Sequence, residues 1–449
     1  MVEPREVLAG KGVDQINLYK LLRYLKESKL ARKVEGYVIH TEQQTSVSAA
    51  TSGKPTTASL EPHANPTAPT LQHITAFLEA LTNPSREGQF FYNAPPSGNA
   101  NEASLKYMLL DPTHHFRTIV SEARAVILAG GTMSPISDYT THLLSYCPPS
   151  QVTTLSCGHV MPQGNLLAWV LSTGPTGKKF EFTYSKRAGR EGEEMVDELG
   201  KALLNICGIV PDGVVVFFPS YAYLDSVVHR WQLPGSGTTS SLWGRLGSKK
   251  SLFREGKDSK SGSGEDILGE YSRAIGEGKG GLLLSVVGGK MSEGINFSDR
   301  LGRCVVIVGL PFPNIQSAEW KAKLAYIESV TMERLGDLGD ADASTQAKPQ
   351  NERVVRGLAE TEKRALAKQA ARDFYENACM RAVNQSVGRA IRHASDYAAI
   401  VMIDARFGSE RIREKLSGWI REAVVVGKEE RGFVELMGGL GRFFREKRE

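Results

Sequence analysis

The chain has 449 residues, 41% of them hydrophobic, 23% charged and 8% aromatic, which is apolar material enough for a sizeable core and, at about 150 residues per domain, for two or three domains. Its 55 Lys and Arg against 50 Asp and Glu leave a net charge of +5, compatible with a polyanionic partner and too mild to require one. Five scattered cysteines, Cys147, Cys157, Cys207, Cys304 and Cys379, lack any Cys-x-x-Cys spacing, which argues against a disulfide framework and against a zinc or iron–sulphur ligand set.

The first element is a basic amphipathic helix over Asn17 to Val34. Leu18, Leu21, Leu22 and Leu25 recur at helical spacing, and Lys20, Arg23, Lys26, Lys29, Arg32 and Lys33 occupy the rest of its surface. Thr41 to Thr70 holds eleven Ser or Thr, four Pro and no aromatic residue, a composition that predicts a disordered linker. Apolar periodicity at Ile74, Phe77, Leu78 and Leu81, and again over Leu105 to Leu110, predicts a small helical unit at 71–120.

Beyond it, short apolar runs alternate with helical patterns. Strands are expected at Ala125–Ala129, Leu166–Leu171, Val214–Phe218, Leu282–Val287, Cys304–Val308 and Ala398–Ile403. Helices are expected at Glu193–Cys207, Ala222–Trp231, Asp266–Glu277, Ala318–Arg334 and Arg353–Arg392. Continuous apolar strands alternating with amphipathic helices predict an α/β fold, a parallel sheet with helices on both faces. Two insertions, Gly235–Gly264 and Gly336–Asn351, read as mobile loops. The first carries six Lys or Arg against two acids over Gly244–Lys260, either a solvated loop or a contact for a phosphate backbone. The N-terminus has no secretory pattern and no apolar run approaches the roughly 18 residues of a membrane span, so a soluble intracellular protein with no membrane partner is expected.

No Walker A loop is present. Gly177-Lys178 is followed by Lys179, with Ser172 in place of the first glycine; Gly289-Lys290 is followed by Met291, with Leu284 in that place. Asp197-Glu198 runs into Leu199-Gly200, so a magnesium-holding Asp-Glu-x-His box is missing too. Metal ligands are not expected. The informative residues lie in the C-terminal half. On the helix through Asn377 to Arg392, Gln385, Arg389 and Arg392 are spaced to share one face beside Gly388, either a solvated polar face or an approach for a triphosphate. The strand ending at Val287 runs into Gly288-Gly-Lys-Met-Ser-Glu-Gly-Ile-Asn-Phe297, either a tight turn or a ligand loop at the sheet's carboxyl edge. Ser220, after Val214–Phe218, is an N-cap whose helix terminus is also suited to phosphate.

These pieces occur in one order. Leu128-Ala-Gly-Gly-Thr-Met-Ser-Pro135 is followed by Phe217-Phe-Pro-Ser-Tyr221, then by Gly288–Phe297, then by Val383-Asn-Gln-Ser-Val-Gly-Arg-Ala-Ile-Arg-His393. The order resembles motifs III, IV, V and VI of superfamily 2 helicases, in the wording of the XPD-like iron–sulphur DNA helicases. Ser156-Cys-Gly-His-Val160, Leu310-Pro-Phe-Pro-Asn314 and Asn296 resemble the eukaryotic chromosome-loss branch that acts in sister-chromatid cohesion. The resemblance covers residues 120–425 specifically and the N-terminal helices more loosely.

The resemblance implies a nuclear 5′-to-3′ DNA helicase driven by ATP and Mg²⁺, with two RecA-like lobes and a [4Fe–4S] cluster in the first. It implies arch-like remnants at 1–40 and 71–120, the linker at 41–70, the end of the first lobe with motif III at 121–150, and the second RecA-like lobe at 151–449. It further implies that Gln385, Arg389 and Arg392 act on the triphosphate, that Glu293, Gly294, Asn296 and Gly388 line the nucleotide, and that Gly131 and Thr132 couple nucleotide state to lobe closure. Lys290, Ser220 and Tyr221 would contact single-stranded or forked DNA, and cohesion or replication proteins would be partners. Walker A, the Asp-Glu-Ala-His box and the cluster cysteines belong to the family's first lobe, so the chain by itself is expected to be inactive. The alternative is a non-catalytic nucleic-acid or protein-binding module that keeps the second lobe as a scaffold.

Overall fold

The computed structural model describes residues 12, 15–37, 40–41, 70–83, 87–93, 104–158, 161–234, 240–256, 264–291, 297–340, 359–391, 393–426 and 432–447. The expected linker at 41–70, apart from its end residues, lies outside them, as do Glu293, Gly294, Asn296 and Arg392. The chain divides into two compact units, Met1–Ser121 with Gln316–Ser329, and Glu122–Ile315 with Val330–Glu449.

In the first unit, helix α1 (Leu18–Ser28) starts where Asn17 accepts a hydrogen bond from the Lys20 amide at 3.1 Å. It stops at Lys29, whose left-handed φ of 52° turns the chain before residues 30–37 become helical again. Helix α2 (Thr70–Ala80) follows, and the Tyr19 hydroxyl of α1 donates to Thr82 O just beyond it at 3.3 Å. Strands β1 (Gly88–Asn93) and β2 (Ser104–Leu109) then form an antiparallel hairpin, and helix α3 is Thr113–Glu122. The helical expectation for Leu105–Leu110 is therefore corrected. Phe90 lies opposite Tyr107 with ring centroids 4.9 Å apart, and Phe77 of α2 meets Phe90 edge to face at 5.6 Å. Cross-strand aromatic pairing of this kind outweighs a helical reading of six residues.

The second unit is built on a seven-stranded sheet, every recorded pairing of which is parallel. Its strands are β3 (Leu166–Leu171), β4 (Gly213–Phe218), β5 (Ser251–Arg254), β6 (Gly281–Val286), β7 (Cys304–Val308), β8 (Ala398–Ile403) and β9 (Val424–Val426), in the spatial order β5-β6-β4-β7-β8-β3-β9. The strands expected from continuous apolar runs between Leu166 and Ile403 are all present. In β4, β6, β7 and β8 every residue is buried, because both faces are covered.

Alternate residues still go to opposite sides. Val214, Val216 and Phe218 join a core with helix α4 (Gly189–Ile209), helix α5 (Tyr221–Gln232), the short α6 (Leu242–Gly247) and the C-terminal α11 (Gly432–Glu446). Val215 and Phe217 join the other core, made with helices α7 (Gly264–Gly276), α9 (Glu360–Val387) and α10 (Gly418–Ala423). Helix α8 (Ala318–Asp340) contributes Ala322 to the first unit, against Phe91 and Leu110. Among the described residues no helix is long and apolar enough to cross a membrane.

Three further expectations change. Ala125–Ala129 is not a strand; its side chains are exposed, Ile127 at 87%. Apolar β-formers make a strand only where a neighbouring strand completes the ladder. The insertion Gly235–Gly264 is not a loop throughout, since residues 240–256 form α6 and the edge strand β5. Its basic cluster is partly spent on structure: Lys250 is 4% exposed and donates to Asp212 O at 2.7 Å, and Arg254 pairs with Asp225. Finally, Gly336–Asn351 begins as helix, because α8 runs on to Asp340.

One ion pair lies inside the sheet's amino end. Arg303, just before β7, donates to Asp396 Oδ1 at 3.0 Å and to Tyr397 O at 2.9 Å, and its guanidinium lies 3.8 Å from the Tyr397 ring centroid. Both side chains are almost wholly buried. Removing one partner strands the other charge without water, so Arg303→Ala is expected to destabilise the chain by about 3–5 kcal/mol in urea unfolding. The double change Arg303→Leu with Asp396→Leu is expected to cost less than either single change; a larger loss in the double variant would contradict this account.

Candidate nucleotide and nucleic-acid site

A parallel sheet delivers the carboxyl ends of its strands to one edge. There β4 ends at Phe218, Ser220 caps α5 by accepting from the Tyr223 amide at 3.2 Å, and Tyr221 opens the helix. On the neighbouring strand β6, Val287 and Gly288 turn the chain into Gly289, Lys290 and Met291. The sequence-predicted trio Ser220, Tyr221 and Lys290 thus follows directly from adjacent strand ends, with the Lys290 side chain in solvent.

Glu255, immediately after β5, ties these segments together. It is 3% exposed. Its Oε1 accepts from the Tyr221 hydroxyl at 2.6 Å and the Met291 amide at 3.2 Å; its Oε2 accepts from the Ser285 hydroxyl at 2.6 Å and the Val286 amide at 3.0 Å. Burial and the Glu255 carboxylate push the Tyr221 phenol up to about 12, so it stays a donor. Gly289 passes so close that a Cβ there would lie 2.6 Å from Glu255 Oε1 and 2.7 Å from the Tyr221 oxygen. Sequence reasoning missed Glu255 because it sat inside a stretch read as loop. The available signal was the apolar pair Leu252-Phe253 just before an acid, short enough for an edge strand.

The second group of predicted residues lies toward the sheet's other edge. Helix α9 ends at Val387 with Gly388 as its C-cap, and the Gly388 amide donates to Asn384 O at 2.9 Å. For Gln385 and Arg389 the expected single helical face is therefore corrected; Arg392, the third residue of that face, lies outside the described residues. Gln385 is on the helix and exposed, whereas Arg389 follows in a turn and is half-buried. Glycine's low helix propensity favours the stop at that point. Val383, Val387 and Ala390 are fully buried in the core that this helix covers.

Arg389 O accepts from the Phe297 amide at 3.2 Å, ahead of β7; close by, the Asp299 amide donates to Asp396 Oδ2 at 3.2 Å, ahead of β8. Arg389 is consequently at the amino ends of the strands, and Ser220, Tyr221 and Lys290 are at the carboxyl ends. The fold does not bring the two groups into one cluster.

Thr132 joins the second group. A Cβ on Gly388 would lie 3.0 Å from Thr132 Cγ2, so the missing side chain allows the approach. Gly131 beside it is exposed. The segment after Thr132 is fastened to α9: Asn384 Nδ2 reaches Ser134 O at 3.4 Å, Asn377 Nδ2 donates to Asp138 Oδ1 at 2.6 Å, Arg381 pairs with Asp138 Oδ2, and the His142 ring meets Phe374 edge to face at 5.2 Å.

Among the described residues, Asp299, His393 and Asp396 form the one group whose ligand atoms converge as a metal site would require. Asp396 already accepts from Arg303, the Tyr397 amide and the Asp299 amide, and His393 Nε2 lies 3.0 Å from Asp299 Oδ1. The adjacent Arg303 guanidinium supplies the positive charge a cation would bring. An iron–sulphur cluster does not fit the cysteines either. Cys207 and Cys304 are buried in one core and Cys379 in the other, so these thiols do not converge on one point.

Residues 203–423 match the helicase C-terminal domain family. ATP-dependent DNA helicase CHL1 of Sclerotinia sclerotiorum is 48% identical over 486 residues, covering 100% of this chain and 52% of that protein. The protein of the same name from Coccidioides immitis is 50% identical over 94% of this chain and 44% of its own length, and that of Aspergillus clavatus is 48% identical over 99% and 55%. The chain belongs to the superfamily 2 XPD/CHL1-like DNA helicases. It spans about half the length of the curated relatives it matches.

In this XPD/CHL1-like chain Asp138 is the main polar anchor between the Thr132 segment and α9. Asp138→Ala leaves Arg381 and Asn377 without their acceptor and is expected to cost about 1–3 kcal/mol of stability. Hydrogen exchange over residues 132–140 is expected to rise above that in α9 itself. Unchanged exchange over 132–140 would show that Asp138 does not hold the segment.

Proposed function

We propose that the chain supplies the second RecA-like lobe, with adjoining segments, of an ATP-dependent 5′-to-3′ DNA helicase acting in the nucleus in chromosome segregation, sister-chromatid cohesion and DNA repair. One observation carries the mechanistic part of this reading. The segment after β6 is held by Glu255 at Met291 and by Arg389 at Phe297, so it runs between the two groups of candidate residues. A helicase needs such a connection, because hydrolysis at one place must move nucleic acid at another.

On this reading Gln385, Arg389 and Arg392 face the triphosphate from the second lobe, with guanidinium groups suited to anionic oxygens because they stay charged and offer several donors. Gly388 and Thr132 sit at the same end and relay lobe closure; Gly131 gives the turn its freedom. Glu293, Gly294 and Asn296 belong to the connecting segment and line the nucleotide. ATP with Mg²⁺ supplies the phosphoryl chemistry when bound, its β and γ phosphates held by a Walker A-bearing lobe. Lys290, Ser220 and Tyr221 touch the backbone of single-stranded or forked DNA, positioning the strand without reading bases. Cohesion and replication proteins are the expected partners. The non-catalytic module is the weaker reading, since Lys250 and Arg254 of its basic loop are engaged within the fold.

The chain alone is expected to bind labelled single-stranded DNA in fluorescence anisotropy, with log affinity falling linearly in log salt at about 0.7 per phosphate contact. It is expected to release no phosphate from ATP. Fused to the part of the Sclerotinia relative that this chain does not cover, it is expected to hydrolyse ATP when DNA is added, and Arg389→Ala in that fusion is expected to lower turnover by about 10³- to 10⁵-fold. A fusion that hydrolyses ATP equally well with Arg389→Ala would remove Arg389 from the catalytic set.

A further inference from the structure

Glu255 is a buried carboxylate with four donors and no cation among its recorded partners. Two donors come from β6 itself, Ser285 and Val286. One comes from the first residue of α5, Tyr221, and one from the turn after β6, Met291. An ionised carboxylate is acceptor-only and has two lone pairs on each oxygen, so it can serve all four donors at once. A neutral amide cannot: whichever way it points, one backbone amide would face an NH2 group. The close passage of Gly289 beside both Glu255 and Tyr221 leaves no room for a side chain to substitute for this arrangement.

We propose that Glu255 is the positioning residue for the nucleic-acid face of this lobe, fixing Ser220 and Tyr221 against Gly289, Lys290 and Met291 so that the two strand-end segments move as one. It touches no nucleic acid; it acts through the groups it holds. The role rests on the DNA-binding reading given above. Because Met291 begins the stretch that runs on to Phe297 and Arg389, the same carboxylate fixes the end of the connecting segment at which load from the DNA would enter.

The test uses the whole chain and two variants. Tyr221→Phe removes one hydroxyl from Glu255 together with that hydroxyl's own backbone contact at Lys290, whereas Glu255→Gln leaves the hydroxyl in place and removes the acceptor for one backbone amide. Hydrogen exchange at residues 288–291 is expected to rise in both, about tenfold in Glu255→Gln, where the Tyr221 hydroxyl is intact and the loosening comes from the carboxylate alone. Affinity for a labelled oligodeoxythymidine is expected to fall about tenfold in each variant, and the double variant is expected to bind no more weakly than Glu255→Gln alone. A reduced salt slope is expected to accompany the loss.

A purely structural role would lower the thermal midpoint of Glu255→Gln while leaving affinity and salt slope at the parental values, and that result would overturn the proposal. So would unchanged exchange at 288–291 in Glu255→Gln, or strictly additive losses in the double variant. If the parental chain fails to bind the oligonucleotide at low salt, the DNA reading fails and the exchange measurement alone decides whether Glu255 joins the two segments.

Discussion

Everything in the second unit depends on burying a parallel sheet on both faces. Parallel strands require a crossover for every connection, so the chain must return across the sheet each time, and the helices that make most of the returns cover it. Once β4, β6, β7 and β8 are fully buried, their polar chemistry is confined to the two rims where backbone groups emerge. That is why Ser220, Tyr221, Glu255 and Lys290 collect at one rim and Arg389, Asp299, His393 and Asp396 at the other. The sorting follows from topology before any side chain is chosen for function.

The two rims solve the problem of charge differently. At the amino rim, Asp396 is neutralised by Arg303, which also stacks on Tyr397, so the pair is held by an ion pair, hydrogen bonds and a ring face together. At the carboxyl rim, Glu255 has only hydrogen-bond donors. Four donors that converge on the two oxygens of one carboxylate fix one another's positions, which a single flexible cation would not do. The first arrangement secures the fold; the second sets geometry.

How much of this was legible beforehand depended on what kind of information each feature needs. The β3, β4, β6, β7 and β8 runs were readable because continuous burial leaves a continuous apolar signature. Ala125–Ala129 carried the same signature and is not a strand, since composition states a preference and pairing requires a neighbour. Edge strands β5 and β9 are four and three residues long, too short for periodicity to register. The order of motifs pointed to the family and singled out Ser220, Tyr221, Lys290 and Thr132 as candidates. Glu255 and Asp138 were not, because their significance comes from partners 30 and more than 200 residues away in the chain. The helical face assigned to Gln385 and Arg389 failed at Gly388, where the residue that admits Thr132 also ends the helix.

Separation of the rims leaves a mechanical requirement. In the proposed helicase reading, nucleotide and nucleic acid engage opposite ends of one sheet, so the link between them must cross its height. The chain from Met291 to Phe297 is six peptide units, which at about 3.3–3.6 Å each reach at most about 20–22 Å. A strand of five or six residues is itself about 17–20 Å long. Six peptide units are thus enough to span the height of a strand, and displacement passes between the rims only where both ends are held. The Glu255 carboxylate and the Arg389 carbonyl fix those ends, one just after β5 and the other just after α9.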